Sequence, residues 1–325
     1  MSRFLVTGSA GHLGDALVRV LVERGHEVVG LDLLASPHTT VRGSLTDRAL
    51  VAEAVRGVDH VLHTATLHKP HVGSHRRQDF VDTNVTGTLN VLEVSAAAGV
   101  RSVVFTSSTS AFGRALTPAA GQSAVWINED LAPMVRNIYG GTKVAAEDLC
   151  ELVARDLELP TVVLRTSRFF PEPDDRDEVR AAYDDANLKA NEFLYRRVDL
   201  ADVVEAHLLA ADRAPDLGFD RFIVSATTPF TRGDAAELAV DAPAVVARLF
   251  PDVAEAYRGR GWVMLPTLDR IYDNQHARDV LGWAPRYDFR AAVELALADG
   301  DPRSPLARSV GAKGYHAEPT GVYTR

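Results

Sequence analysis

Short apolar runs alternate with longer stretches of helical spacing through the first half of the chain. Phe4–Thr7, Glu27–Leu31, Val58–His63, Ser102–Thr106 and Thr161–Arg165 are short and rich in Val, Leu and Phe. Runs of this kind, apolar on both faces, predict strands of a parallel sheet covered on both sides. Between them, Leu13–Arg24, Phe80–Ala98 and Tyr139–Leu157 have helical spacing and predict helices. Such alternation with right-handed crossovers gives an α/β fold, a doubly wound parallel sheet.

After about Phe170 the pattern loosens. Residues 1–170 therefore read as one domain. Residues 171–325 read as mainly a smaller C-terminal lobe, with some segments returning to the sheet. Pro171–Asp185 is a charged run that predicts a solvated loop or short helix. Asp199 is placed to cap a helix through Ala211, Phe222–Ser225 reads as a strand, and Asp288 caps Phe289–Ala298. From Gly300 the chain reads as irregular, with Tyr315 and Tyr323 as candidate pins to the body. No repeat or low-complexity segment is present.

Composition narrows the class. The 325 residues are 46% hydrophobic and 24% charged, an ordinary globular mixture with ample material for a core. The net charge of −9 argues against a nucleic-acid partner. No apolar run is long enough to span a membrane, and the first residues leave no room for a signal peptide, so a cytoplasmic protein is expected. The single cysteine, Cys150, excludes an internal disulfide and a Cys-rich metal site.

The first strand runs into Thr7-Gly8-Ser9-Ala10-Gly11-His12-Leu13-Gly14, which opens the first helix. Glycines spaced this way, between strand and helix, permit a tight turn and bring helix N-terminal amides to a pyrophosphate. Asp32 ends the second strand, where a carboxylate accepts from an adenine ribose diol and repels a 2′-phosphate. No Arg or Lys follows until Arg42, which favours NAD over NADP.

Tyr139 and Lys143, at i and i+4, share one helix face. An ammonium there lowers a phenol pKa, and the phenol then serves as acid or base near neutral pH. Upstream, Thr106-Ser107-Ser108-Thr109-Ser110 sits at a strand's C-terminal end, where parallel sheets bind ligands.

Together these residues resemble the extended short-chain dehydrogenase/reductase family, the NAD-dependent epimerase/dehydratase group. The glycine turn, Asp32, Asn84 in Asp82-Thr83-Asn84-Val85-Thr86-Gly87-Thr88, Phe112-Gly113 and Tyr139/Lys143 occur in family order. Val198-Asp199-Leu200-Ala201-Asp202 and Leu281-Gly282-Trp283-Ala284-Pro285 look like its C-terminal landmarks. The resemblance implies a Rossmann-type domain followed by a substrate-binding lobe. It makes Tyr139 the acid/base, Ser108 the catalytic hydroxyl, and Lys143 the residue that holds the nicotinamide ribose. The implied NAD contacts are Gly8, Gly11, His12, Leu13, Gly14, Asp32 and Leu33, then Ser44, Leu45, Thr64, Ala65, Thr66, Asn84, Lys143 and Thr166. The family commonly has Asp where Ser44 stands. His68, His71, Thr109 and Arg168 are candidate substrate contacts, with no metal site.

The expected chemistry begins with hydride transfer at a secondary alcohol carbon of a sugar or sugar-like small molecule. A 4,6-dehydratase is disfavoured, because Thr109-Ser110 stands where that subgroup has Asp-Glu. Phe170–Arg197 is much shorter than in members that wrap a nucleotide diphosphate, and Arg165-Thr166-Ser167-Arg168 replaces the Asn often found there. The alternatives are a dehydrogenase or reductase of a small non-nucleotide alcohol or ketone, and a non-catalytic NAD sensor. His68, His71 and His75 fall on one loop, which reads as pocket lining or an anion contact rather than a metal site. The Phe80–Ala98 and Tyr139–Leu157 helices carry apolar residues on more than one face, among them Val91, Leu92, Val94, Val144, Leu149, Leu152 and Val153. One face covers the sheet and the other needs a partner, and the resemblance implies a homodimer through a four-helix interface.

Overall fold

A computed structural model of the chain describes residues 1–174 and 176–313. One sheet is built from β1 (Arg3–Thr7), β2 (Glu27–Asp32), β3 (Val41–Arg42), β4 (His60–His63), β5 (Ser102–Ser108), β7 (Thr161–Thr166) and β8 (Phe219–Val224). All its pairs are parallel, in the order β3-β2-β1-β4-β5-β7-β8. The chain winds outward from β1 to one edge and then from β4 to the other. A crevice therefore opens at the C-terminal ends of β1 and β4, where Thr7 pairs in register with His63. A second, two-stranded sheet joins β6 (Val125–Ile127) to β9 (Arg270–Tyr272).

Apolar cores lie on both faces of the large sheet. One is closed by the helices His12–Glu23, Leu200–Leu217, Gln275–Leu281 and Pro305–Val310, the other by Arg48–Ala54, Gly87–Ala97 and Ile138–Asp156. A third core, around Phe193, Leu238, Val245, Ile271 and Phe289, belongs to the later segments.

The chain departs from the pattern reading in three places. The Phe80–Ala98 stretch is not one α-helix. It is Arg77–Val81, a π turn over Asp82–Thr86, and Gly87–Ala97. Pro305–Val310 is helical, capped by the Ser304 hydroxyl, where irregular chain was expected. The charged run after Phe170 is not wholly solvated. Glu172 and Asp174 are buried, and short helices follow at Asp177–Ala182 and Asp185–Glu192. Tyr315 and Tyr323 lie outside the described residues. Among the described residues no helix is long and apolar enough to cross a membrane.

The two C-terminal landmarks form one unit. Asp199 caps Leu200–Leu217 by accepting from the Ala201 amide, and its other oxygen accepts from the Ser304 amide at 2.9 Å. Asp202, one turn on, accepts from the Arg286 and Tyr287 amides at 3.0 and 2.9 Å, while the Trp283 indole N–H donates to the Asp202 carbonyl at 3.0 Å. Burial pushes the Asp202 carboxyl up to about 6, against the pull of those two amides. A carboxyl raised on folding stabilises below its unfolded value and loses that contribution as pH rises through about 6. Asp202→Ala, which leaves two part-buried amides without their acceptor, is expected to cost about 1 kcal/mol by urea denaturation. Asp202→Asn is expected to cost less and to remove this group's share of the stability gained between pH 7 and pH 5.

Candidate active site

The glycine turn is shaped by close approach. The Gly8 amide donates to the Leu31 carbonyl at 2.8 Å, so the turn is pinned to β2 as β1 ends. Gly8 has φ +75°, and a Cβ there would meet the Ala65 backbone at 2.8 Å. Only glycine suits that position. Gly11 caps His12–Glu23 without a side chain, and Gly14 packs directly on the Gly8 carbonyl. The first-turn amides of the helix, at His12, Leu13 and Gly14, have no intrahelical acceptors and lie at the positive end of the helix dipole. The Leu13 side chain itself points into the core.

Asp32 is held in place by two amides. Oδ2 accepts from Ala10 at 3.0 Å and Oδ1 from Leu34 at 2.8 Å, which ties the strand end to the glycine turn. Leu33 is exposed beside it. Arg42 donates from Nε to the Leu33 carbonyl at 3.1 Å. A glycine cradle at a helix N-terminus, next to a fixed carboxylate, fits a dinucleotide.

The remaining expected cofactor contacts divide into backbone positions and struts. The Thr64 hydroxyl donates to the Thr7 carbonyl at 2.7 Å, holding Thr64, Ala65 and Thr66 across Gly8. The Asn84 side chain is engaged at both ends. Its oxygen accepts from the Leu67 amide at 2.8 Å and the Thr66 hydroxyl at 3.0 Å, and its nitrogen donates to the Leu67 carbonyl at 2.8 Å and Thr142 Oγ1 at 3.0 Å. Asn84 thus joins the loop after β4 to the helix Ile138–Asp156. The Thr166 hydroxyl donates to the Ser107 carbonyl at 3.0 Å and belongs to the sheet. Ser44 turns to Thr46, and Leu45 packs in the core against Gly87.

Ser108, Tyr139 and Lys143 come together at the end of β5. Asn137 caps the helix Ile138–Asp156 by accepting from the Gly140 amide at 3.0 Å. A Cβ on Gly140 would lie 2.8 Å from the Ser110 carbonyl, so this glycine lets the helix start approach the strand end. The Ser108 hydroxyl accepts from the Ser110 amide at 3.1 Å and favours ionisation of the neighbouring Tyr139 phenol. Ser107, on the opposite face of β5, instead donates to the buried Glu147. Burial pushes the Tyr139 phenol up to about 12, partly offset by Ser108. The expected pull of Lys143 on that phenol is not what governs it. Burial pushes the Lys143 ammonium down to about 7, opposed by Glu147. Lys143 donates to the Thr106 carbonyl at 2.8 Å and sits over the Phe105 ring.

The other wall comes from the loop after β7. Glu172 lies 3.2 Å from His12, both buried, so this loop meets the glycine turn directly. Phe170 packs between His12 and His68. The His68 amide donates to His71 Nδ1 at 3.0 Å, and His71 packs edge-on against His75. Arg168 is mostly buried, on Asp174 at 3.2 Å and Glu192 at 3.6 Å. Arg196 and Arg197 reach Glu192 at 2.6 and 2.7 Å. Burial opposes ionisation of Glu192, but the three guanidiniums outweigh it and hold its carboxyl well below the usual range. Thr109 is buried, beside the buried Tyr272 of β9. Among the described residues, no three His, Cys, Asp or Glu side chains are arranged to hold a metal ion.

Sequence reasoning missed Glu147, Glu172, His63 and Tyr272. Each acts through a partner distant in the chain, and only the helical spacing Tyr139, Lys143, Glu147 gave a local signal.

Residues 4–218 match the NAD dependent epimerase/dehydratase family. The chain belongs to that family. A 2-alkyl-3-oxoalkanoate reductase of Stenotrophomonas maltophilia is 39% identical over 173 residues, which cover 50% of this chain and 49% of that one. The chain thus spans about half the length of that relative. A UDP-glucose 4-epimerase of Streptomyces lividans is 27% identical, covering 87% and 91%. The structure of a short-chain dehydrogenase/reductase superfamily protein from Agrobacterium tumefaciens with bound NAD superposes with a TM-score of 0.67. It is 25% identical and the match covers 94% and 97% of the two chains. The family's cofactor is NAD, and the Gly8 cradle and Asp32 fit it.

A carboxylate fixed at the ribose position should bind NAD more tightly than NADP, because a phosphate would face it in a partly desolvated site. Titration of both cofactors tests this. Asp32→Ala is expected to narrow the gap, with Arg42 then the nearest cation along the strand pair.

Proposed function

We propose that this family member oxidises a secondary alcohol carbon of a sugar or sugar-like substrate as the first step of an epimerase- or dehydrogenase-type reaction. The observation that carries the reading is the convergence of Ser108, at the end of β5, with buried Tyr139 and Lys143, one helical turn apart, at the ligand-binding end of the sheet. NAD, when bound, supplies the hydride acceptor. Tyr139 takes the hydroxyl proton, Ser108 holds the reacting oxygen, and Lys143 holds the nicotinamide ribose. The buried phenol needs a nearby positive charge to ionise near neutral pH, since burial alone opposes it. His68, His71, Thr109 and Arg168 stand around the substrate side, with Arg168 acting through the wall it braces. We read residues 1–170 as the cofactor domain and 171–325 as mainly the substrate lobe.

A second reading is a dehydrogenase or reductase of a small non-nucleotide alcohol or ketone. It draws on the 39% identity to the oxoalkanoate reductase, against 27% to the epimerase. A substrate panel followed at the NADH absorbance band, with product analysis, separates the two. Epimerisation gives an isomer without net NADH, and dehydrogenation accumulates NADH. Isomer formation or NADH release from a sugar is the expected result, and turnover of hydroxy or keto acids alone overturns the sugar reading.

We also propose a cytoplasmic homodimer. Val91, Leu92, Val94 and Val153 are consumed by the chain's own core and Leu149 packs partly against it, which leaves Val144 and the 41% exposed Leu152 as the contact. Light scattering at micromolar concentration checks it.

Tyr139→Phe is expected to cut turnover by roughly two to four orders of magnitude with NAD binding nearly intact. Ser108→Ala should slow turnover less, Lys143→Met should also weaken NAD binding, and Cys150→Ser should remain active. Stopped-flow turnover and NAD titration of the four variants provide the check.

A further inference from the structure

We propose that His63 is a positioning residue with two arms, one setting the loop Thr64–Thr66 against the cofactor turn and the other setting Asn84 and, through it, the Tyr139 helix. His63 ends β4 at the crevice and is buried. Its Nδ1 lies 2.7 Å from the Thr7 hydroxyl and its Nε2 lies 2.9 Å from the Thr88 hydroxyl.

The protons on this network are fixed by elimination. Thr88 Oγ1 is 2.7 Å from the Asn84 carbonyl, which only accepts, so the Thr88 proton is committed there. His63 Nε2 must then donate to Thr88. A neutral ring leaves Nδ1 bare, and the Thr7 hydroxyl donates to it. That orientation leaves the Thr7 oxygen free to accept, which it does from the Thr64 and Ala65 amides at 3.2 Å each. Those amides carry the loop across Gly8. On the other arm, Thr88 braces the π turn that presents Asn84, whose side chain spans Leu67 and Thr142. Thr142 in turn donates to the Tyr139 carbonyl at 3.0 Å.

A second proton on the ring would set two donors against each other at Thr7. The surroundings oppose it as well. Burial, with the charge of Lys143, pushes the His63 imidazole down to about 3, and the Phe105 ring packs beside it. The imidazole is therefore a fixed neutral bridge between the two halves of the site rather than an acid or a base.

Two substitutions separate the arms. In His63→Asn the amide oxygen stands in for Nδ1 and still accepts from Thr7, but nothing reaches Thr88. In His63→Gln the longer amide donates to Thr88 and leaves Thr7 without its acceptor. His63→Asn is expected to hold the NAD Kd within about twofold and the exchange protection of the Ala65 amide. It should lose protection at the Leu67 amide and about tenfold in turnover, the scale of one lost buried hydrogen bond. His63→Gln is expected to do the reverse, raising the NAD Kd about tenfold and exposing the Ala65 amide while Leu67 stays protected. Calorimetry gives the Kd and amide hydrogen exchange gives the protection. Equal change of both sets of parameters in both variants overturns the proposal. Imidazole nitrogen NMR of the unsubstituted protein is the independent measurement. A non-titrating ring protonated at Nε2 is expected, and protonation at Nδ1 or titration near neutral pH refutes the assignment even where a variant fails to fold. Only the turnover comparison rests on the chemistry proposed above. If no sugar is turned over, that chemistry fails, while the Kd, exchange and NMR results still decide the role of His63.

Discussion

The buried carboxylate of Glu147 fixes the helix on which the site depends. It accepts from Arg165 Nε at 3.0 Å and Nη2 at 2.7 Å, and from the Ser107 hydroxyl, which locks the helix Ile138–Asp156 to β5 and β7. Tyr139, Lys143 and Glu147 follow at four-residue intervals along one stripe. Anchoring the third of these therefore sets the azimuth of the other two. Isolated, such a charge would be ruinously desolvated. Here the guanidinium and hydroxyl satisfy it, and its field in turn opposes the loss of charge at Lys143. The helix cannot rotate toward a better apolar fit without abandoning the ion pair. The apolar residues along it need only be compatible with that setting.

A comparable arrangement governs the opposite wall. The Arg168, Arg196 and Arg197 guanidiniums surround Glu192, and Asp174 takes a second contact with Arg168 and Arg196. These groups lie on the loop after β7, at the end of Asp185–Glu192 and just beyond it, and they hold together two stretches that, among the described residues, only the single Arg168–Arg197 bridge joins as strand. Glu172 extends the same loop to His12 at the cofactor turn. The wall thereby touches the place where a diphosphate is expected, and the two sides of the crevice are not independent.

Much of this was legible in the chain. The Val- and Leu-rich runs located the five inner strands because a doubly covered sheet demands apolar residues on both faces. Asp199 and Asp288 announced their helices because a cap acts within three residues. Ser108, Tyr139 and Lys143 fall together as the order of motifs implied. What remained hidden was long-range or compensatory. Glu172 and Asp174 look solvated in sequence, since the arginine that buries Asp174 and the histidine that meets Glu172 lie elsewhere in the fold. The helix at Pro305–Val310 is short and owes its place to the Ser304 amide meeting Asp199. The side-chain bonds that Asn84 and Thr166 make within the protein were hidden as well, because their partners Leu67, Thr142 and Ser107 lie far along the chain.

The π turn at Asp82–Thr86 has one more consequence. Each π turn holds one residue beyond what an α-helix accommodates. Winding the same residues into an unbroken α-helix from Arg77 to Ala97 would leave that residue in excess, and everything on one side of it would swing by about 100° relative to the other. Asn84 would then face away from Leu67 and Thr142. A regular helix and this clamp are mutually exclusive in the present chain length, so the irregularity measures how much local backbone order has been surrendered to keep one amide side chain in place.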